Sequence, residues 1–454
     1  MKNYDCVIAG GGPAGSLCAA TLSRFGRRVL LVQERHSTPK LPSETLVPTA
    51  RPGFERFGLG DILERAEFEG TRRQGAIWGS SKVRWRETES GARGFRIDRA
   101  AFDQALREHA ARSGVEVLEG WRVTNLTENA EPWTLAGPNS AKQLVTGKVR
   151  VAACGIPREK TQAAGDIQTC ALWTRVTSGS EYSDATLVEA VREGWIWWLP
   201  LGNGDISITL FADLDEVKQV GRDELFARAL RDSLGPARGM RPKKVTGTIC
   251  TPTLRSAVGD LLLAGDAASS VDPLSSQGVE KALASGDDCA VAANTWIEDP
   301  SISSQLLRHR AHWEARLFHA HEQDTIAFYR KEQRFSDAIF WRKRQHFSAP
   351  VPKPLSGTAQ IERSPNLRST TALERSGERF KARPAFALSD HGEAIYRIGR
   401  IEIALLLELL PGNIDSIIEH ARQDPRCSAL SPRLVTEAFA ELYRLGFVSE
   451  LARP

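Results

Sequence analysis

The stretch "YDCVIAGGGPAGSLCAATLSRFGRRVLLVQER", residues 4–35, narrows the fold more than any other part of the chain. Tyr4 to Ala9 is a short apolar run of strand type, and Ser16 to Phe25 has helical spacing. Arg28 to Val32 is a second β-branched and leucine run, ending at Glu34. Gly10, Gly12 and Gly15 make G-x-G-x-x-G between the first strand and the helix, the setting this motif needs. The first glycine allows the tight turn, and the second lets backbone approach a pyrophosphate. The third lets helix and strand pack closely, and the N–H groups opening the helix face the phosphates. Glu34 comes where a carboxylate binds ribose hydroxyls. These features predict a βαβ dinucleotide site; the bland alternative is a crossover that merely has a glycine loop.

A second stretch, "GDLLLAGDAASSVDPLSSQGVEKALASG" (259–286), specifies the dinucleotide. Leu261 to Ala264 reads as a buried strand ending at Gly265-Asp266, and Gly278 to Ser285 starts another helix. A strand-end aspartate followed by a glycine-bearing helix start suits the ribityl and pyrophosphate oxygens of FAD. With "PSETLVP" (42–48), "FRIDRAAFDQAL" (95–106) and "AGDAASSVDP" (264–273), the chain resembles the superfamily of flavin-dependent aromatic hydroxylases and halogenases. The matching pieces span roughly the first 300 residues. The resemblance implies an α/β fold: an FAD-binding βαβ domain, a mixed β-sheet substrate domain and a mainly helical C-terminal part. It also implies cofactor contacts from Glu34, Arg35, Ser43, Arg99, Gly265, Asp266, Pro273, Ser276 and Gly278, besides the three motif glycines. Asp266 is expected at the ribityl chain, with Pro273 and the Gly278 helix start beside the isoalloxazine.

"EGWIWWLPLG" (193–202) matches the W-x-W-x-[IL]-P of the halogenase branch through Trp195, Trp197, Leu199 and Pro200. On a strand, period two puts Trp195, Trp197 and Leu199 on one face and Ile196 and Trp198 on the other. The "LGNGD" that follows predicts a hairpin turn, with "ISITLFAD" returning as the partner strand. Trp198 is expected in the core, and Trp195 and Trp197 as a wall of the reaction chamber.

Several residues depart from the halogenase pattern. Halogenases pass hypohalous acid to a lysine in a K-x-G segment, but the corresponding "TRRQGAIW" has Arg73 before Gln74-Gly75. A guanidinium stays protonated and is a poor nucleophile; Lys82 is near but off the motif position. Where halogenases bind chloride through small residues, "LSSQG" has Gln277. The NADPH-contacting Asp-Gly of the hydroxylases is also missing, since "VRVAACGIPR" has Ala152 at that place. Electrons are therefore expected either from NAD(P)H bound differently or through a flavin reductase.

The combination of "DPLSSQG" and W-x-W-x-L-P resembles a narrower group, the flavoproteins that oxygenate a tryptophan of a partner protein on the way to a tryptophylquinone cofactor. The resemblance implies an FAD-dependent monooxygenase using O2 and a C4a-hydroperoxyflavin, with a tryptophan-bearing protein or peptide as substrate. Trp195, Trp197, Arg73 and Gln277 are the candidate residues around the reaction. The alternatives are a small-molecule aromatic hydroxylase or halogenase, a flavin-binding maturation factor without catalysis, and a ketone or double-bond reductase.

Composition excludes little but points the same way. The 454 residues, 41% of them apolar, suffice for two or three domains. A net charge of +4, spread along the chain, gives no case for nucleic acid. Seven scattered cysteines without a C-x-x-C pair suit reduced thiols in a cytoplasm. No apolar run approaches the roughly 20 residues that span a bilayer.

The expected divisions are an FAD domain over 1–165, with substrate-side strands inserted around 70–95, and a substrate sheet over 166–250. The FAD domain resumes over 251–300, followed by long helices over 301–346, a linker over 347–385 and a small winged-helix-like domain over 386–454. His309, His312 and His319 share a helix region without carboxylate or cysteine at ligand spacing, so packing or solvated histidines are expected and no metal. The balanced charge of the last domain favours partner docking over DNA.

Overall fold

The computed structural model describes residues 2–34, 43–46, 50–65, 70–71, 73–87, 94–126, 132–154, 167–177, 185–201, 204–242, 244–255, 259–345, 359–389, 392–427 and 429–451. The chain divides into two compact units, Met1–Phe347 and Ser348–Pro454.

The first unit is built on two seven-stranded sheets. In the first, Lys2–Ala9 lies parallel to Val29–Gln33 on one side and to Lys142–Ala152 on the other. Glu116–Glu119 continues the parallel run beyond Val29–Gln33. Lys142–Ala152 pairs at its start with Trp133–Ala136, antiparallel, and at its end with Leu262–Leu263, parallel. The inner strands are near-continuously apolar and buried, as parallel strands covered on both faces must be. One cover is the helix Pro13–Arg24, buried from Pro13 to Leu22, against which Arg99–Arg112 and Gly278–Glu298 pack. Pro13 sits at the first helical position, where its missing N–H costs nothing.

The second sheet runs Thr246–Ile249, Thr169–Thr177, Asp205–Asp213, Gly194–Pro200, Ala185–Val191, Arg73–Ile77, Arg84–Glu87. All pairings are antiparallel except that of Ala185–Val191 with Arg73–Ile77. The period-two reading of the tryptophan strand appears as two cores. Ile196 and Trp198 join Leu172, Ile208 and Leu210 beneath Leu225, Phe226 and Leu230 of the helix Arg222–Asp232. Trp195 joins Ala171, Ala190 and Phe211 on the other face, with Tyr329, Phe340 and Trp341.

On that face Ala190, Trp195, Phe211 and Ala171 form one row across four strands. The indole stacks on the Phe211 ring at 3.9 Å and 17°. The flanking alanines leave room for rings arriving from two helices, Ser303–Tyr329 and Ile339–Gln345. Burying two such rings removes roughly 150–250 Å² each from water, which at about 25 cal/mol per Å² holds these helices firmly to the sheet.

In the second unit the segment expected as a linker over 347–385 is partly a hairpin. Arg368–Ser376 pairs with Arg379–Ala387 around Gly377, whose φ is 64°. Ile361–Arg363 pairs with Val448–Glu450 from the far end of the unit. Local reading missed both, because the hairpin carries polar residues on both faces and the other pairing is long-range. The helices Ile403–Glu408, Ile414–Gln423 and Pro432–Arg444 bury Leu406, Ile417, Phe439 and Leu442 in a separate core.

No helix among the described residues is long and apolar enough to cross a membrane. No cluster of three His, Cys, Asp or Glu side chains among them could hold a metal ion. The seven cysteines are free thiols.

Candidate functional site

The C-terminal ends of four parallel strands come together in the first sheet, where open α/β sheets bind their ligands. From them emerge Glu34, the turn at Gly10, Ala153-Cys154 and the turn at Gly265-Asp266. At Gly10 φ is 108°, and a Cβ would stand 2.4 Å from the Ala153 carbonyl oxygen. At Gly15 a Cβ would fall 1.9 Å from the Gly10 oxygen. Gly12 differs: a Cβ there would meet nothing within 4 Å. Two of the motif glycines are thus demanded by the protein's own packing. The third borders open space at the start of the first helix, the cradle a pyrophosphate needs.

Two residues that sequence reasoning missed hold this loop. Gln33 accepts from the Gly11 N–H at 2.6 Å and donates to the Glu34 carbonyl at 2.6 Å. Arg107 donates to the Gly11 carbonyl at 3.3 Å while paired with Glu119 at 2.8 Å. Glu34 itself is exposed and lines a cleft of about 440 Å³ with Gly120, Arg122, Ser140 and Lys142. That is enough space for the nucleoside end of a dinucleotide.

The second half of the site stands on the helix Gly278–Glu298. The Gly265 N–H donates to Ser285 Oγ at 2.8 Å, and Lys281 Nζ donates to the Gly265 carbonyl at 3.1 Å and to that of Ser269. Glu314, from the next helix, accepts from Ser269 Oγ at 2.7 Å, from Ser285 and from Arg310 at 2.7 Å. Arg310 also pairs with Asp288 at 2.6 Å. Burial would raise the Glu314 carboxyl, but Arg310 and Lys281 outweigh it and hold it below the ordinary value. Asp266 stays exposed at the turn this network supports, and its carbonyl accepts from Arg255 at 2.8 Å. Ser269, Lys281 and Ser285 lie within the quoted 259–286 stretch, but their partners Arg310 and Glu314 were not legible locally, because their helix lies beyond it.

Between Asp272 and Gly278 the chain makes a short 3-10 turn, Pro273–Ser275. Ser276 is left-handed at φ 51°, and Gln277 precedes the helix without a side-chain cap. The first N–H groups of that helix are therefore open to a ligand. Burial raises the pKa of the Glu280 carboxyl, the one acidic group in the first turn.

Arg99 and Glu44 meet close by. Arg99 Nη1 donates to Glu44 Oε2 at 2.5 Å, and its other nitrogens reach Asp103 at 3.3 Å. Burial alone would weaken the Arg99 charge, but Glu44 and Asp103 outweigh it. A Cβ at Gly278 would lie 3.8 Å from Glu44 Oε1, so this pair stands beside the second helix start. Arg35 and the side chain of Ser43 lie outside the described residues.

The four reaction-side candidates are spread out. Trp195 is 2% exposed, and its Nε1–H donates to the Tyr329 hydroxyl at 3.2 Å. Trp197 is half-buried, donating to Thr186 Oγ1 at 3.0 Å. Arg73 lies two strands away from Gly194–Pro200, its guanidinium 5.2 Å over the Trp85 ring. Lys82 is exposed beyond it. Gln277 alone sits at the turn just described. His309, His312 and His319 all lie on the helix Ser303–Tyr329, His319 against Glu322 at 3.2 Å.

Glycine cradle, ribose-side carboxylate, exposed strand-end aspartate and uncapped helix start together fit FAD, and comparison with known proteins agrees. Residues 3–137 match the FAD binding domain family. The chain is 25% identical over 306 residues to a tryptophan 2-halogenase of Chondromyces crocatus, covering 61% of this chain and 58% of that protein. It thus spans less than two thirds of that relative's length. Among solved structures, the peptidyl tryptophan dihydroxylase QhpG, essential for tryptophylquinone cofactor biogenesis, superposes with a TM-score of 0.72 at 22% identity, covering 98% of this chain and 99% of that one. The flavin-dependent halogenase CmlS superposes with a TM-score of 0.72 at 18% identity, covering 99% and 96%. The chain therefore carries an FAD-binding domain and has the fold shared by flavin-dependent aromatic hydroxylases and halogenases.

Proposed function

We propose that this protein is an FAD-dependent monooxygenase that hydroxylates an aromatic side chain, an indole above all, of a partner polypeptide. When bound and reduced, FAD supplies an activated oxygen atom from O2. Gly10, Gly12, Gly15 and the first helix N–H groups would hold its pyrophosphate, Glu34 its ribose and Asp266 its ribityl chain. The 273–276 turn and the Gly278 helix start would flank its ring, where open N–H groups favour negative charge. Trp197, the less buried of the W-x-W pair, serves to orient the substrate ring and exclude water. With Ala152 in place of the NADPH-contacting aspartate, electrons come from NAD(P)H bound in another way or through a flavin reductase.

The observation that carries oxygen transfer over halogen transfer is Arg73. Where a halogenase needs an amine, this strand carries a guanidinium held over Trp85, which does not form a haloamine. Gln277 before Gly278 agrees, filling a place that chloride-binding enzymes keep small. The likeness to QhpG, described as acting on peptidyl tryptophan, supports a protein-bound substrate. A halogenase is the second reading, supported by the likeness to the tryptophan 2-halogenase and to CmlS.

Intact-mass measurement of tryptophan-bearing partner polypeptides, incubated with this protein, reduced FAD, O2 and chloride or bromide, separates the readings. Addition of one or two oxygen atoms supports the proposal. A halogen mass, or efficient turnover of free tryptophan with none on any polypeptide, overturns it.

A further inference from the structure

Trp195, Tyr329 and Asp272 form a hydrogen-bonded chain that runs in one direction. An indole N–H can only donate, so the Tyr329 hydroxyl oxygen must accept from Trp195 at 3.2 Å. The hydroxyl hydrogen is left to Asp272, whose Oδ2 and Oδ1 lie at 3.0 and 3.2 Å. Asp272 Oδ1 also accepts from the Leu274 N–H at 2.9 Å, and its carbonyl accepts from Ser275 Oγ at 3.1 Å. Asp272 is thus the cap of the Pro273–Ser275 turn, which delivers Ser276 in its left-handed conformation and then the helix start at Gly278.

The upstream end of this chain is closely packed. Trp195 is stacked on Phe211, and the Tyr329 ring is met by Trp78, Phe340 and Trp341 with centroids at 6.1, 5.7 and 5.9 Å. Its downstream end borders a cavity of about 60 Å³, lined by Asp272, Tyr329, Arg344, Glu322, Phe318 and Ile326 among others. That space is large enough for a water molecule beside the carboxylate.

We infer that Trp195, Tyr329 and Asp272 are positioning residues, which act through Asp272 to set the 273–276 turn and the helix start behind it. The rigid aromatic core of the tryptophan strand thereby aligns one wall of the cofactor site. This inference rests on the FAD-binding role of that turn in the reading above, and gives Trp195 work without contact to the substrate.

The groups facing Asp272 are Tyr329 of the long helix, Arg344 of the helix Ile339–Gln345 and the thiol of Cys250, and Glu322 of the long helix lines the same cavity. Burial raises its carboxyl; the Leu274 N–H, Arg344 and Tyr329 pull it back without cancelling the rise. Ionisation of Asp272 should therefore be felt in the turn at a pH above the ordinary aspartate range.

The test measures FAD affinity of the full chain by flavin fluorescence across pH, for wild type, D272A, D272N, Y329F and W195F, with near-UV circular dichroism and thermal melting as checks on folding. D272A should weaken FAD binding about tenfold, the scale of one lost hydrogen bond to a charged group. D272N keeps an acceptor for Leu274 and should bind within about twofold of wild type, without the inflection in the pH profile. Y329F removes a donor to the carboxylate and should move that inflection to higher pH, and W195F should move it the same way while preserving the stack on Phe211. D272A binding like wild type, or an inflection that survives D272N, overturns the inference. Turnover is not read, so a protein that binds FAD but oxygenates nothing sinks the oxygenase proposal and leaves this result standing.

Discussion

The guanidinium of Arg96 donates to the carbonyl oxygen of Pro200 at 2.6 Å, inside the protein. Arg96 lies on Gly94–Asp98, the strand that leads into the Arg99 helix, and Pro200 ends the tryptophan strand. One buried hydrogen bond therefore joins the segment bearing Arg99 to the sheet bearing Trp195 and Trp197. Replacing Arg96 by methionine keeps most of the volume but leaves the Pro200 carbonyl without this donor. The expected loss is about 1–3 kcal/mol of stability, measured by denaturant unfolding, with FAD affinity falling as the two elements loosen.

The contrast among the motif glycines can be read directly. Gly15→Ala forces a Cβ onto the Gly10 oxygen and should lower the melting temperature or abolish folding. Gly12→Ala places its methyl in open space, so the melt of the FAD-free protein should change little. FAD affinity should fall by more than about tenfold if that open space holds the pyrophosphate, as the proposed cofactor site requires. Equal effects of the two substitutions on the FAD-free melt would contradict the assignment of the cradle.

Lys281 and Glu314 are 1% and 3% exposed and stand 3.4 Å apart. Lys281→Met leaves buried Glu314 with less compensation, at an expected cost of about 3–5 kcal/mol. The double variant with Glu314→Gln should cost less than the sum of the two singles, a coupling visible in a double-mutant cycle. Glu314 titrates below its ordinary value in the folded protein, so its contribution is present above the unfolded pKa and disappears as pH falls through the folded one.

His309 supplies a pH dependence of the opposite group type. Burial lowers its pKa from 6.5 to about 4, with Arg310, Arg316 and His312 adding to the effect against Asp288. Between pH 6.5 and about 4 the unfolded chain binds more protons at this position than the folded one. Stability should therefore fall as pH drops through that window, by up to about 3 kcal/mol. His309→Gln should flatten this component of the profile, as followed by chemical unfolding at fixed temperature.

Residues 4–35 by themselves determined the first strand, helix and second strand, because glycine spacing and apolar periodicity are local properties of the chain. The same holds for the two faces of the tryptophan strand: period two separates Trp195 from Trp198 whatever packs against them. The faces are local knowledge, but their covers are not. Tyr329, which meets Trp195 from 134 residues away, and Glu314, which supports Ser285 from 29 residues away, became visible only when the long helix folded back. The strand pairing of Ile361–Arg363 with Val448–Glu450 is non-local in the same sense, so its first member passed for linker. Sequence determined which residues could line a cofactor site. Only the tertiary structure decided that Trp195 is sealed in an aromatic core, because burial depends on every element that arrives from elsewhere in the chain.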